Sequence, residues 1–113
     1  MNSRAKGQRG ERAWRDQLRE AGFNSAYRGQ QYSGSPDSPD VQCPELPNLH
    51  FEVKHVEALN VWKAMQQAID DAGHHKVPVL AHKRNRSGWL VTMRADDWLE
   101  LIRESHHVKG GSQ

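Results

Sequence analysis

Apolar and polar residues alternate along Leu49-His50-Phe51-Glu52-Val53-Lys54. In an extended strand, Leu49, Phe51 and Val53 share one face and His50, Glu52 and Lys54 the other, so Glu52 and Lys54 stand side by side above a buried row. A helical spacing links Trp14, Leu18 and Ala21 and predicts a helix from about Gln8 to Ala21, ended by Gly22. Val61, Ala64, Met65, Ala68, Ile69 and Ala72 predict a second helix, capped by Asn60 and stopped by Gly73. Strands are expected around Ser25–Gln31, at Val77–Lys83 and at Trp89–Met93, the last two joined as a hairpin through Arg84–Gly88. Val79-Leu80-Ala81 is a continuous apolar run, as in a strand covered on both faces. A final helix, about Ala95 to Glu104, is expected to bury Trp98, Leu101 and Ile102. Residues 1–7 read as a flexible arm and 106–113 as a frayed tail. This order predicts an α/β fold, a mixed central β-sheet flanked by helices.

Composition narrows the class. At 113 residues the chain is expected to form one small domain, of modest stability without a partner. Hydrophobic residues are 35% of the total, and no apolar run approaches a membrane span. No hydrophobic segment follows the basic residues near the start, which argues against a secretory signal and for the cytoplasm. The single cysteine, Cys43, has no internal disulfide partner and reads as a small buried strand residue in a reducing setting. The net charge of +2 does not by itself indicate nucleic acid. Its distribution is more informative: Arg4, Lys6, Arg9, Arg12 and Arg15 crowd the start, and Lys83, Arg84 and Arg86 crowd a later turn. On charge pattern alone, that turn is equally a phosphate grip or a solvated hairpin tip.

The candidate chemistry lies around Ser33-Gly-Ser-Pro-Asp-Ser-Pro-Asp40-Val41. The turn residues of Cys43-Pro-Glu-Leu-Pro-Asn48 fold the following strand back as a hairpin, bringing Asp40 near Glu52. Two carboxylates and an ammonium on one strand surface suit a hard divalent cation. Asp37 competes with Asp40, but Asp40 adjoins a strand, and ligands need a fixed backbone. Glu11 falls on the apolar stripe of the first helix, where it is either a first-turn glutamate or a carboxylate leaning toward the metal. Adjacent pairs such as His74-His75 do not converge on a metal, and a structural zinc site is not expected with one cysteine. His50 shares the face of Glu52 and could stand near a scissile phosphate, although a surface histidine is the simpler reading.

Pro39-Asp40 followed by Glu52-x-Lys54 resembles the core of the PD-(D/E)xK nucleases. With Lys6-Gly-x-x-Gly-Glu11-Arg12 upstream and Tyr27-Arg28 leading to Ser33-Gly34, the chain is similar to the archaeal-type Holliday junction resolvases and their phage relatives over roughly residues 4 to 102. The resemblance implies a restriction-endonuclease-like core and a Mg²⁺-dependent DNA endonuclease, with Mn²⁺ able to substitute. Asp40, Glu52, the Val53 carbonyl and Glu11 would hold metal, and Lys54 would position or help deprotonate water. Ser33 matches a mobile-loop serine of the resolvases, and a helix glutamine near the metal matches Gln67 better than Gln66. DNA contacts would fall to Arg4, Lys6, Arg9, Arg12, Arg28, Lys83, Arg84 and Arg86. The expected substrate is a four-way junction. Alternatives are a nicking or repair nuclease and an inactive DNA-binding module, though a module has no need of intact Asp40, Glu52 and Lys54. Symmetric junction cleavage requires a homodimer, with Trp62, Trp89 and Trp98 as candidate interface residues.

Overall fold

The computed structural model describes residues 3–29 and 40–110, with side chains from residue 6 onward. Its elements are α1 (Ser3–Glu20), β1 (Tyr27–Arg28), β2 (Val41–Gln42), β3 (Leu49–His55), α2 (Val61–Ala72), β4 (Val77–Lys83), β5 (Leu90–Thr92), α3 (Ala95–Arg103) and α4 (His106–Lys109). The strands form one sheet in the order β1-β2-β3-β4-β5. Only β3 and β4 run parallel, joined by the α2 crossover, and the other neighbours are antiparallel. The expected mixed sheet flanked by helices is therefore present.

Each of the two long helices takes one face of the sheet. On the α1 side, Trp14 and Leu18 pack with Val41, Phe51, Val53, Val79 and Ala81. Trp14 meets Phe51 edge-on at 5.7 Å and Trp89 at 5.0 Å between ring centroids, geometries that add to area burial. On the α2 side, Ala64 and Met65 cover Leu80. The two central strands are thus buried on both faces, and β3 differs from the simple alternation expected of it: His50 and Glu52 are as buried as Phe51.

Local chemistry explains the helix ends. Gly22 has φ of 106°, Phe23 N–H donates to the Leu18 carbonyl and Gly22 N–H to that of Arg19, the pairing of a Schellman cap. The Asn60 side chain accepts from Lys63 N–H at 3.0 Å and starts α2, and Gly73 ends it with φ of 67°.

Several expectations are corrected. The helix begins at Ser3, five residues before Gln8, so residues 3–7 are not an arm; basic side chains and Gly7 are compatible with helix when the following turns are anchored. Ala21 lies past the helix end and is exposed. The first strand is only Tyr27–Arg28, because its antiparallel partner β2 is itself two residues long; Gln31 lies outside the described residues. The start of the supposed tail is helical, with Ser105 Oγ accepting from Val108 N–H to cap α4. α3 buries none of its residues, and Trp98 and Leu101 are each 51% exposed. The apolar spacing of α3 is genuine, but the described residues supply no surface to cover it.

Candidate active site

Asp40 is held by the β2–β3 hairpin. Val41 pairs with Phe51, and continuing that antiparallel register sets Asp40 across from Glu52, on one face. The backbone closes the arrangement: Asp40 N–H donates to the Phe51 carbonyl at 3.1 Å, and Gly29 N–H donates to the Asp40 carbonyl at 2.9 Å. Asp40 Oδ2 accepts from Val53 N–H at 2.8 Å, which fixes the carboxylate while leaving its other oxygen for a ligand. Lys54 Nζ lies 3.5 Å from Glu52 Oε2.

These carboxylates sit in an environment that resists their charge. Asp40 is pushed up to about 6, first by burial and then by the negative charge of Glu11, against the pull of the Val53 N–H and Lys54. Glu52, only 4% exposed, is pushed up to about 7, by burial and by Asp40, with Lys54 opposing. Asp71 on α2 raises both. One lysine does not balance this group. Such a site favours protonation or a cation.

Glu11 reaches this region because α1 lies unusually close to β3. A Cβ at Gly10 would stand 2.9 Å from His55 Cβ, so glycine permits the approach that carries the neighbouring Glu11 inward. Glu11 accepts from Arg28 Nε at 3.2 Å and from its terminal nitrogen at 3.1 Å. Arg28, expected at the DNA, is therefore engaged by a carboxylate of the site.

Two of the segments that carry basic residues meet at the end of the sheet where β3 and β4 terminate. His55 Nε2 meets Asn85 Oδ1 at 3.0 Å, tying the β4–β5 turn to the end of β3, while Gly10 brings the first half of α1 to the same residue. Arg9, Arg12, Arg84 and Arg86 are exposed, Lys6 is half-buried, and Lys83 Nζ sits 5.7 Å from the Trp89 ring centroid. Ser33 and the competing Asp37 lie outside the described residues, as does the Arg4 side chain.

Along α2, Gln66 donates to Asp70 Oδ1 at 2.9 Å. Gln67 is exposed and lies one turn before Asp71, on the same helical edge. Sequence reasoning missed Asp71. The available signal was the Asp70-Asp71 pair in the last helical turn, where the macrodipole disfavours anions. His50 also differs from expectation: it is 2% exposed rather than a surface residue, because α2 covers its face of β3.

A mixed sheet with helices on both faces, carrying Asp40 opposite Glu52-x-Lys54, defines a restriction-endonuclease-like protein of the PD-(D/E)xK class. A family model described as phage putative PDDEXK endonuclease matches residues 2–110, and the chain belongs to that family. No curated protein and no solved structure matches it.

Proposed function

We propose that the protein is a Mg²⁺-dependent endonuclease acting on branched DNA, with the four-way junction as first substrate and Mn²⁺ as a competent replacement. The observation that carries this reading is Asp40 held opposite Glu52, both with raised pKa, beside Lys54. The donor set fits the ion: two carboxylates and the Val53 carbonyl offer the oxygen ligands that Mg²⁺ prefers, with Glu11 nearby as a further acid. When bound, the ion supplies Lewis-acid stabilisation of charge on the phosphate and a more acidic water. Asp40 keeps one oxygen fixed on Val53 N–H, so its carboxylate is oriented before any ligand arrives. Lys54 orients the attacking water and opposes negative charge developing on the phosphate. Gln67 and Ser33 are assigned supporting positions near the reacting strand, and Arg28 holds Glu11 in place. Lys6, Arg9, Arg12, Lys83, Arg84 and Arg86, with Arg4, contact phosphates on either side, positioning DNA without reading its sequence.

Two opposed strands of a junction are cut in one complex only by two sites, and each chain carries one. A two-fold dimer supplies the second. Trp62 is 87% exposed, and Trp98, Leu99 and Leu101 are each 51% exposed, which supports an interface over α3 and the start of α2. Trp89 packs on Trp14 and belongs to the core instead. The setting is the cytoplasm of a bacterial host. Cleavage of junction, flap and duplex DNA, with and without Mg²⁺, tests the reading. Junction cutting by wild type and none by Asp40→Asn or Glu52→Gln is expected. Preference for duplex or flap makes it a nicking or repair enzyme, and metal-independent binding without cleavage by any form makes it an inactive module.

A further inference from the structure

On the side of Glu52 facing α2, a different set of donors converges. His50, Glu52 and Asp71 each place one ligand atom within 4.8 Å of the others. A small divalent ion bound at 2.0–2.2 Å holds tetrahedral ligands roughly 3.4 Å apart, so modest side-chain rotation closes the set. His50 and Glu52 are 2% and 4% exposed, on alternate residues of β3, which gives the donors a rigid base. Asp71 comes from the last turn of α2.

Access, local charge and donor chemistry together favour a cation here. First, the site is reachable: a cleft of about 320 Å³ at the end of α2 is lined by His50, Asp71, His75 and Lys76. Second, the last turn of α2 carries Asp70 and Asp71 and no basic residue, so both acids face the negative end of the macrodipole. Asp70 is met by Gln66, whereas none of the ion pairs among the described residues involves Asp71. Third, the donors differ in kind from those around Asp40. An imidazole with two carboxylates favours Zn²⁺ or Mn²⁺ over Mg²⁺, which takes oxygen and keeps its water.

We propose that His50, Glu52 and Asp71 form a second metal site for a divalent transition ion, entered through the cleft at the end of α2. Glu52 is then shared between this donor set and Asp40, and the charge of Asp71 is felt by both carboxylates. Binding at one site is thermodynamically linked to binding at the other through the shared Glu52. The site itself does not depend on nuclease activity.

The test follows the ring nitrogens of ¹⁵N-histidine-labelled protein during titration with Zn²⁺ in excess Mg²⁺. His50 signals are assigned by their loss in His50→Gln, and the exposed His74, His106 and His107, none of which lines the cleft, serve as internal controls. We expect the His50 signals to shift with the first equivalent of Zn²⁺ and to ignore Mg²⁺ alone. Asp71→Asn, a near-isosteric change at a half-buried position, should weaken the Zn²⁺ response at least about tenfold, as loss of a ligand exceeds the effect of loss of an outer partner. Asp40→Asn should preserve it. Silent His50 signals, an unchanged affinity in Asp71→Asn, or loss of the response in Asp40→Asn would each overturn the site. Because the readout is a ring nitrogen, failure here is distinct from failure of the cleavage assay.

Discussion

At the residue scale, the decisive property is charge held where it is poorly solvated. Asp40→Asn and Glu52→Gln should lower cleavage of junction DNA by more than about a hundredfold, since outer-shell partners of metal ligands already cost 10–100-fold. DNA binding, measured by fluorescence anisotropy, should survive. Without metal, Asp40→Asn should melt no lower than wild type, because asparagine retains an oxygen for Val53 N–H and sheds a buried charge. The same pair sets a pH dependence. Asp40 moves from 3.8 to about 6 and Glu52 from 4.5 to about 7 on folding. The folded state then holds more protons between these values, so the contribution is full below about pH 4 and is lost as pH rises through 6 and 7. Metal-free wild type should therefore lose on the order of 2 kcal/mol relative to Glu52→Gln between pH 5 and pH 8. His82, whose pKa is lowered by burial, pushes the other way in both proteins and cancels in the comparison. Chemical denaturation at the two pH values, in chelator, measures the difference.

At the scale of elements, the approach of α1 to β3 makes two glycines of one helix opposite in effect. A Cβ at Gly7 meets nothing within 4 Å, so Gly7→Ala should stabilise by roughly 0.5–1 kcal/mol through helix propensity and the unfolded chain. Gly10→Ala gains the same propensity but drives its methyl to 2.9 Å from His55 Cβ, an atom that no rotamer change can move. Overpacking of this kind costs about 1–3 kcal/mol. We expect a net loss of stability, together with reduced cleavage as Glu11 is displaced with the helix. Thermal melts of the two variants side by side provide the check, and equal melting points would mean that α1 is not held against β3.

At the scale of the whole molecule, an uncovered helix and a divided basic surface make the predictions. α3 buries no residue in the monomer, so Leu101→Glu should leave the melting point of the monomer nearly unchanged while abolishing a dimer. Sedimentation at micromolar concentration, with and without junction DNA, follows that change; a wild type that stays monomeric in both yet nicks DNA favours the nicking enzyme over the resolvase. Arg84 and Arg86 sit at the end of the sheet tied to β3 through His55 and Asn85. Replacing both with alanine should weaken binding to all DNA sequences alike. It should also flatten the log–log salt dependence by about 0.9 for each phosphate that is no longer neutralised. An unchanged slope would make this turn a solvated tip.

Much of this protein was legible from local pattern. Period-two alternation at Leu49–Lys54, the Asn60 and Gly73 caps of α2, and the turn residues between Val41 and Leu49 place Asp40 beside Glu52 and Lys54, since each rests on interactions between near neighbours in the chain. The family followed from the same short segments. What remained hidden depended on segments distant in sequence. Burial of His50 and the convergence of Asp71 on Glu52 arise only when α2 crosses the sheet, and the Glu11–Arg28 pair only when α1 meets β1. The exposed face of α3 is the converse case: periodicity marks a surface that seeks cover, and only the tertiary structure shows whether the chain provides it.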